Sequence, residues 1–209
     1  MVPAVETESN PTTEENYLKI VLVGDSNVGK TTLLKALTGS GDKGRGYSVS
    51  LEIPVEIKKG DTKKTVIGRI YDLRSQRYFP YLHSLYYNNA KGAIIVFDIT
   101  NKNSFHSLMK WRDIVWGHTG NIPLLICGNK TDLRRSSDDH ILQQEAIDLA
   151  QEFSKDRPMR TSYIELSAEK RIIAYTGEDS SETQNGDIYP TIGAFRDPFV
   201  NWLREIATK

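Results

Sequence analysis

The sequence predicts an α/β fold, a mostly parallel sheet with helices on both of its faces. Three observations predict it. Short, β-branched apolar runs alternate along the chain with longer stretches of helical period. Two of the runs, Gly92-Ala-Ile-Ile-Val-Phe97 and Pro123-Leu-Leu-Ile-Cys-Gly128, are apolar throughout, as strands buried on both faces are. Residues 24–31 read Gly-Asp-Ser-Asn-Val-Gly-Lys-Thr, a G-x-x-x-x-G-K-[ST] string set between an apolar run and a helix-forming one.

The elements follow in order. Residues 1–16 are rich in Glu, Thr, Pro and Asn and are expected to be a disordered extension. Leu18-Lys-Ile-Val-Leu-Val23 reads as a buried strand, and Thr32-Leu-Leu-Lys-Ala-Leu37 as the start of a helix. Gly39 to Gly46 is glycine-rich and reads as a loop. Leu51, Ile53, Val55 and Ile57 alternate with polar residues, Gly60-Asp61 marks a tight turn, and Thr65 to Tyr71 returns, which predicts a hairpin. Asp72 to Ala90 shows no clean period. Phe105, Leu108, Trp111 (with Met109), Ile114 and Val115 form a helical stripe. Ile141 to Phe153 reads as an amphipathic helix, Ser162 to Leu166 as the last strand, and Phe195 to Ile206 as the last helix. Ligands of such folds sit beyond the carboxyl ends of the strands.

The glycine string carries chemistry. At a strand-to-helix turn, the backbone N–H groups from Asp25 through Ser26, Asn27, Val28, Gly29, Lys30, Thr31 and Thr32 can converge on phosphate oxygens, with the helix N-terminus adding positive potential. Lys30 would reach the β/γ-phosphates, and the Thr31 hydroxyl would ligate Mg²⁺. The plain alternative is a glycine loop with a chance Lys-Thr, which the flanks disfavour.

Bulk properties exclude other classes. Acidic and basic residues balance at 27 each, so no charge excess seeks a polyanion and no nucleic-acid partner is expected. One Cys and four His argue against a zinc cluster. Cys127, in an apolar run, reads as a buried small hydrophobe. No run approaches a membrane span, no signal-peptide order is visible, and an intracellular chain is expected.

Four further motifs occur in order. Asn129-Lys-Thr-Asp132 follows a buried strand. A carboxylate can accept both guanine N1–H and the N2 amine, a donor pair that adenine lacks, so Asp132 is a base selector. Asn129 can tie this loop to the phosphate loop, and Lys130 can lie on the ring. Glu165-Leu-Ser167-Ala168 follows the last strand, and backbone N–H groups there could meet guanine O6. Asp72 ends the hairpin strand, where it can hold a Mg²⁺-bound water, and Gln76 could orient an attacking water. Ser48 and Ser50 both follow the glycine loop, and a hydroxyl from either could close on Mg²⁺. The bland reading, polar residues in solvated turns, weakens as the motifs accumulate in register.

With these residues in hand, the chain resembles the Ras superfamily of small GTPases, most closely the Rab family, over residues 17–170 and again in the last helix. Tyr86-Tyr-Asn-Asn-Ala-Lys-Gly-Ala-Ile-Ile-Val-Phe-Asp-Ile-Thr100, Ser104-Phe105 and Trp111 add to the motifs above. The resemblance implies a P-loop NTPase G-domain over residues 17–209, with a six-stranded, mostly parallel sheet. It implies GTP/GDP and Mg²⁺ as ligands, with Thr31, Ser48 and Asp72 at the metal. It implies slow GTP hydrolysis with Gln76 and Lys30 as catalytic residues, in a chain expected to be monomeric. It also implies an exchange factor, an activating protein and effectors that read the switch loops, in vesicle trafficking or signalling.

The departures fall on the switching parts. Where the family has Asp-Thr-Ala-Gly-Gln, this chain has Asp72-Leu-Arg-Ser75-Gln76, and a Cβ at Ser75 penalises positive φ by about 1–2 kcal/mol. Ser48 stands for the first-switch Thr, and Glu169 for the Lys of Ser-Ala-Lys. Residues 171–190 read as a surface insertion before the last helix. The family's prenylated cysteine tail is missing from Ala207-Thr-Lys209, so membrane association is expected to be indirect or through a tail absent from this chain. The expected location is cytoplasmic, with peripheral contact on the cytosolic face of endomembranes. Two rival readings remain. A guanine-nucleotide scaffold that does not cycle is motivated by Ser75 and Glu169. A P-loop kinase or ATPase leaves Asp132 unexplained. The Tyr78-Phe79-Pro80-Tyr81-Leu82 cluster could meet effectors or cover the sheet, and Trp116 and Trp202 are expected to pack.

Overall fold

The computed structural model describes residues 17–38, 49–59, 62–72, 86–134, 140–155, 161–176 and 192–208. Seven strands form one sheet in the order β2-β3-β1-β4-β5-β6-β7. They are β1 (Tyr17–Val23), β2 (Val49–Lys59), β3 (Thr62–Asp72), β4 (Gly92–Asp98), β5 (Leu124–Asn129), β6 (Thr161–Ser167) and β7 (Ile172–Tyr175). Neighbours from β3 to β6 pair in parallel, while β2 joins β3 and β7 joins β6 antiparallel. The helices are α1 (Lys30–Thr38), α2 (Lys102–Thr119), α3 (Gln143–Ser154) and α4 (Ile192–Ala207), with a 3-10 turn at Thr131–Leu133.

The sheet divides two cores because successive strand residues face opposite sides. Ile20 and Leu22 of β1 enter a cluster with Leu33 and Leu37 of α1 and Phe195, Phe199, Trp202 and Leu203 of α4. Val21 and Val23 enter the other, with Phe105, Leu108 and Val115 of α2 and Ala146, Ala150 and Phe153 of α3. Every residue of β4 and β5 is buried, which explains their unbroken apolar runs. Helix α2 starts where the Asn101 side chain accepts the N–H groups of Asn103 and Ser104. It ends at Gly120, whose φ is +73°. Cys127 is fully buried, as its apolar run predicts, and burial pushes its thiol pKa up. Trp202 is buried, and Trp116 packs on Phe153 while donating to the Ile122 carbonyl at 3.0 Å.

Three expectations are corrected. The sheet has seven strands and not six. Ile172-Ile-Ala-Tyr175, which falls in the stretch read as an insertion, turns back at Arg171 (φ +56°) and pairs with the end of β6. Met109 does not belong to the buried stripe of α2 but is 46% exposed. At about 100° per residue it lies beside Phe105 but about 100–120° away from Leu108 and Val115, at the edge of the stripe. Helix α3 begins at Gln143 after the extended Leu142, and the buried Ile141 lies outside it. The hairpin turn, the glycine loop, the N-terminal extension, the Tyr78–Leu82 cluster and most of residues 171–190 lie outside the described residues. Among the described residues, no helix is long and apolar enough to cross a membrane.

Candidate functional site

The site lies where β1, β3, β4 and β5 end together. Register places Leu22 of β1 beside Asp72, and Asp98 of β4 beside Asn129. Chain reversal is the first demand on the loop after β1. Gly24 has φ +138° and backs directly onto the Val96 carbonyl, so a Cβ there would collide with backbone. Gly29 has φ +96°, and a Cβ there would strike the Asn129 side-chain amide. Asn27 also takes a positive φ, +65°, which its side chain tolerates. Val28 is buried and pins the loop from below, while Ser26 and Asn27 are exposed at its crest. Helix α1 begins at Lys30, so the N–H groups of its first turn, Lys30, Thr31 and Thr32, have no intrahelical acceptor.

Charged and hydroxylic side chains converge on this loop. The Lys30 ammonium donates to the carbonyls of Gly24 (2.8 Å) and Asp25 (2.6 Å), which holds it along the loop. The Thr31 hydroxyl donates to Asp72 Oδ2 at 3.2 Å. Asp72 is fully buried at the end of β3. The Asp25 carboxylate meets α2, where Trp111 Nε1–H donates to Oδ1 at 2.9 Å.

A second set of loops stands beside it. Asn129, buried at the end of β5, donates through Nδ2 to the Val28 carbonyl at 2.9 Å and accepts the Ala168 N–H at 3.0 Å. One side chain thus ties together three loops. Lys130 adopts φ +69°, and its ammonium pairs with Asp98 Oδ2 at 2.6 Å. Asp132 is exposed on the 3-10 turn and accepts the Ser167 hydroxyl at 2.5 Å. The Ser167 Oγ in turn accepts the Lys170 N–H at 3.1 Å. Beneath lies Glu165, 1% exposed, which accepts the Tyr163 hydroxyl at 2.6 Å and pairs with Arg134 at 2.8 Å. Burial pushes the Tyr163 pKa up, and the Glu165 carboxylate adds to the effect.

The structure brings together Asp25 through Thr32, Asp72, Asn129, Lys130, Asp132, Ser167 and Ala168. Ser48, Ser75 and Gln76 lie outside the described residues. Four roles escaped the sequence reading: Asp98 as the partner of Lys130, Trp111 as the partner of Asp25, and Arg134 and Glu165 as an ion pair. A carboxylate inside an apolar strand, as at Glu165, is the one signal that could have been followed, because a buried charge demands a partner.

Oxygen donors of the kind a divalent cation requires meet at Thr31 and Asp72. Among the described residues no group of three or more His, Cys, Asp or Glu could hold a metal by itself. The pair therefore fits a magnesium ion that keeps waters and phosphate oxygens as its other ligands.

Comparison with known proteins gives the same direction. The Ras family profile matches residues 19–175. The chain is 31% identical to the Ras-related protein RABA2a of Arabidopsis thaliana over 185 residues, covering 87% of this chain and 80% of that protein. It is 30% identical to Ras-related protein Rab-19 of Mus musculus over 161 residues, 75% of this chain and 73% of that protein. It is 35% identical to the GTP-binding protein ypt3 of Schizosaccharomyces pombe over 158 residues, 74% of this chain and 70% of that protein. A strand-to-helix phosphate loop, an Asn-Lys-x-Asp loop beside it and homology along most of the domain are properties of one lineage, and the chain belongs to the Ras family as a Rab-like small GTPase, a GTP-binding switch that hydrolyses GTP to GDP.

Proposed function

We propose that the paired loops hold GDP and GTP in this chain, with the phosphates over residues 25–32 and the base between Lys130, Asp132 and Ala168. The observation that carries the reading is the Asn129 clamp, which fixes the phosphate loop and the base loops at one spacing. Asp132 selects guanine through N1–H and the N2 amine, and its bond from Ser167 orients the carboxylate. The Ala168 N–H is already committed to Asn129, so O6 would be met from elsewhere in the Ser167–Ala168 turn. Lys30 exchanges its carbonyl partners for β/γ-phosphate oxygens and counters charge that develops during phosphoryl transfer. Magnesium held by Thr31, Asp72 through water and Ser48 would neutralise the same oxygens. Gln76 orients the attacking water, and an activating protein supplies the arginine that meets the developing charge.

Ras-family GTPases work through regulators and effectors, and for this chain we assign an exchange factor, an activating protein and effectors to the segments around Ser48 and Ser75–Tyr87. Residues 17–209 form one G-domain with residues 1–16 as an extension and 171–190 as an insertion that opens with β7. Work in vesicle traffic on the cytosolic face of endomembranes completes the reading. The non-cycling scaffold is the less favoured alternative, because the relatives are GTPases by family.

Titration calorimetry of nucleotide-stripped protein in magnesium tests the core of this. GDP and GTP should release heat and ADP and ATP should not, and Asp132→Ala should abolish the difference. Silence with both guanine nucleotides would overturn the assignment. Single-turnover hydrolysis of bound GTP, compared with Gln76→Leu, then tests the role of Gln76, and equal rates would remove it from the mechanism.

A further inference from the structure

Asp25 places a carboxylate inside a loop whose backbone is arranged to attract anions. That is an electrostatic liability. A short acidic side chain beside loop N–H groups readily accepts them itself, in the manner of an Asx turn. Those N–H groups are the donors that phosphate oxygens need.

The fold holds this carboxylate elsewhere. Trp111 Nε1–H donates to Asp25 Oδ1 at 2.9 Å across 86 residues of sequence. On the other side of the same residue, the Asp25 carbonyl accepts the Lys30 ammonium at 2.6 Å. Residue 25 is thus gripped at two points, carboxylate toward α2 and carbonyl toward α1. The grip is anchored, because Trp111 packs against the core that α2 forms through Phe105, Leu108 and Val115. Both partners are half-buried, where a hydrogen bond to a charged group is worth more than at an open surface.

We propose that Trp111 is a positioning residue for nucleotide binding: its indole N–H keeps the Asp25 carboxylate on the α2 side of the phosphate loop, so that the loop N–H groups stay open to phosphate. This rests on the guanine-nucleotide reading above. Loss of the indole donor frees a competing anion within the loop, whereas loss of the charge at residue 25 removes the competitor.

A double-mutant cycle on the full chain reads this out through the dissociation rate of a fluorescent GDP. W111F keeps an aromatic ring and removes the donor. In the Asp25 background it should raise the dissociation rate about tenfold, the worth of one hydrogen bond to a charged group. In a D25N background it should change the rate by less than about twofold. Packing loss alone would act equally in both backgrounds, and an equal effect, or none in either, overturns the proposal. Urea denaturation of each variant reports folding. If W111F does not fold, D25E tests the same contact from the loop side by moving the carboxylate one methylene off the indole. D25E should also speed dissociation, and a wild-type rate would overturn the proposal. If wild-type protein fails to bind GDP, the nucleotide assignment falls and this inference with it. If wild-type protein binds and the cycle shows no coupling, only this inference falls.

Discussion

Asn129 donates its side-chain amide to the carbonyl of Val28, 101 residues earlier in the chain, at 2.9 Å. The bond joins the phosphate loop to the loop at the end of β5. The same side chain accepts the Ala168 N–H, so the loop after β6 is fixed in the same act. Three loops that meet only at the carboxyl edge of the sheet are set at one spacing by one buried residue, 2% exposed.

Asn129→Ala should therefore destabilise the protein by about 2–4 kcal/mol, because it strands the Val28 carbonyl and the Ala168 N–H at once. Asn129→Asp should fare no better. It keeps an acceptor for Ala168 but sets a carboxylate against the Val28 carbonyl oxygen. Urea unfolding of nucleotide-stripped protein is the measurement, and a change below about 0.5 kcal/mol for Asn129→Ala would deny the clamp its role.

Gly29→Ala tests the clamp from the other side. A Cβ there meets the Asn129 amide, and φ at +96° is strained for alanine. Strain of about 1–3 kcal/mol should add to partial loss of the Asn129 bonds. The same substitution at Gly117, where nothing lies within 4 Å, supplies the control and should be near neutral or stabilising within α2.

Thr31→Val removes the hydroxyl that meets Asp72 and keeps the shape of the side chain. In the wild type, chelation of magnesium should speed GDP release. In the variant, release should be fast already and respond little to EDTA. A variant whose release still accelerates on chelation as the wild type does would take Thr31 away from the metal.

Much of this was legible in the chain. The strand-to-helix glycine string is local, and so is its meaning: Gly24 and Gly29 sit at the positive φ that such a turn requires. Asn129-Lys-Thr-Asp132 was readable because an apolar strand delivers it. What escaped was non-local. Nothing in residues near Asp25 announces Trp111, and nothing near Lys130 announces Asp98, because only the assembled sheet lays α2 against the loop after β1 and sets the end of β4 beside the end of β5. β7 escaped for a different reason. Four apolar residues flanked by polar chain carry no periodicity, and they become a strand only because the edge of β6 offers hydrogen bonds.

The Glu165 network predicts a coupled effect on stability and ligand release. Glu165→Ala leaves the Tyr163 hydroxyl without its carboxylate acceptor and Arg134 without its partner. A loss of about 2–3 kcal/mol is expected for breaking a buried charged hydrogen-bond network. Because Ser167 and Ala168 follow directly in β6 and its turn, GDP release should accelerate as well. Tyr163→Phe removes only the hydroxyl and should show a fraction of both effects. Full stability in Glu165→Ala would mark the network as idle.

Alkaline pH should unfold this protein earlier than its net charge suggests. Burial raises the pKa of Cys127, of Tyr87 and of Tyr163, the last also through Glu165. The unfolded chain titrates at ordinary values, about 8.5 for Cys and about 10 for Tyr. Above those values the unfolded state binds fewer protons than the folded state, so the unfolding free energy falls as pH rises. Each group contributes up to about 1.4 kcal/mol per pH unit between its unfolded and folded pKa, and none of this loss is present at pH 7. Cys127 acts first, so Cys127→Ala should flatten the decline between about pH 8.5 and 10 and leave the steeper fall above it. Tyr163→Phe should do the reverse. Denaturation midpoints at intervals across this range decide the matter, and a Cys127→Ala profile parallel to the wild type would show that the buried thiol takes no part in it.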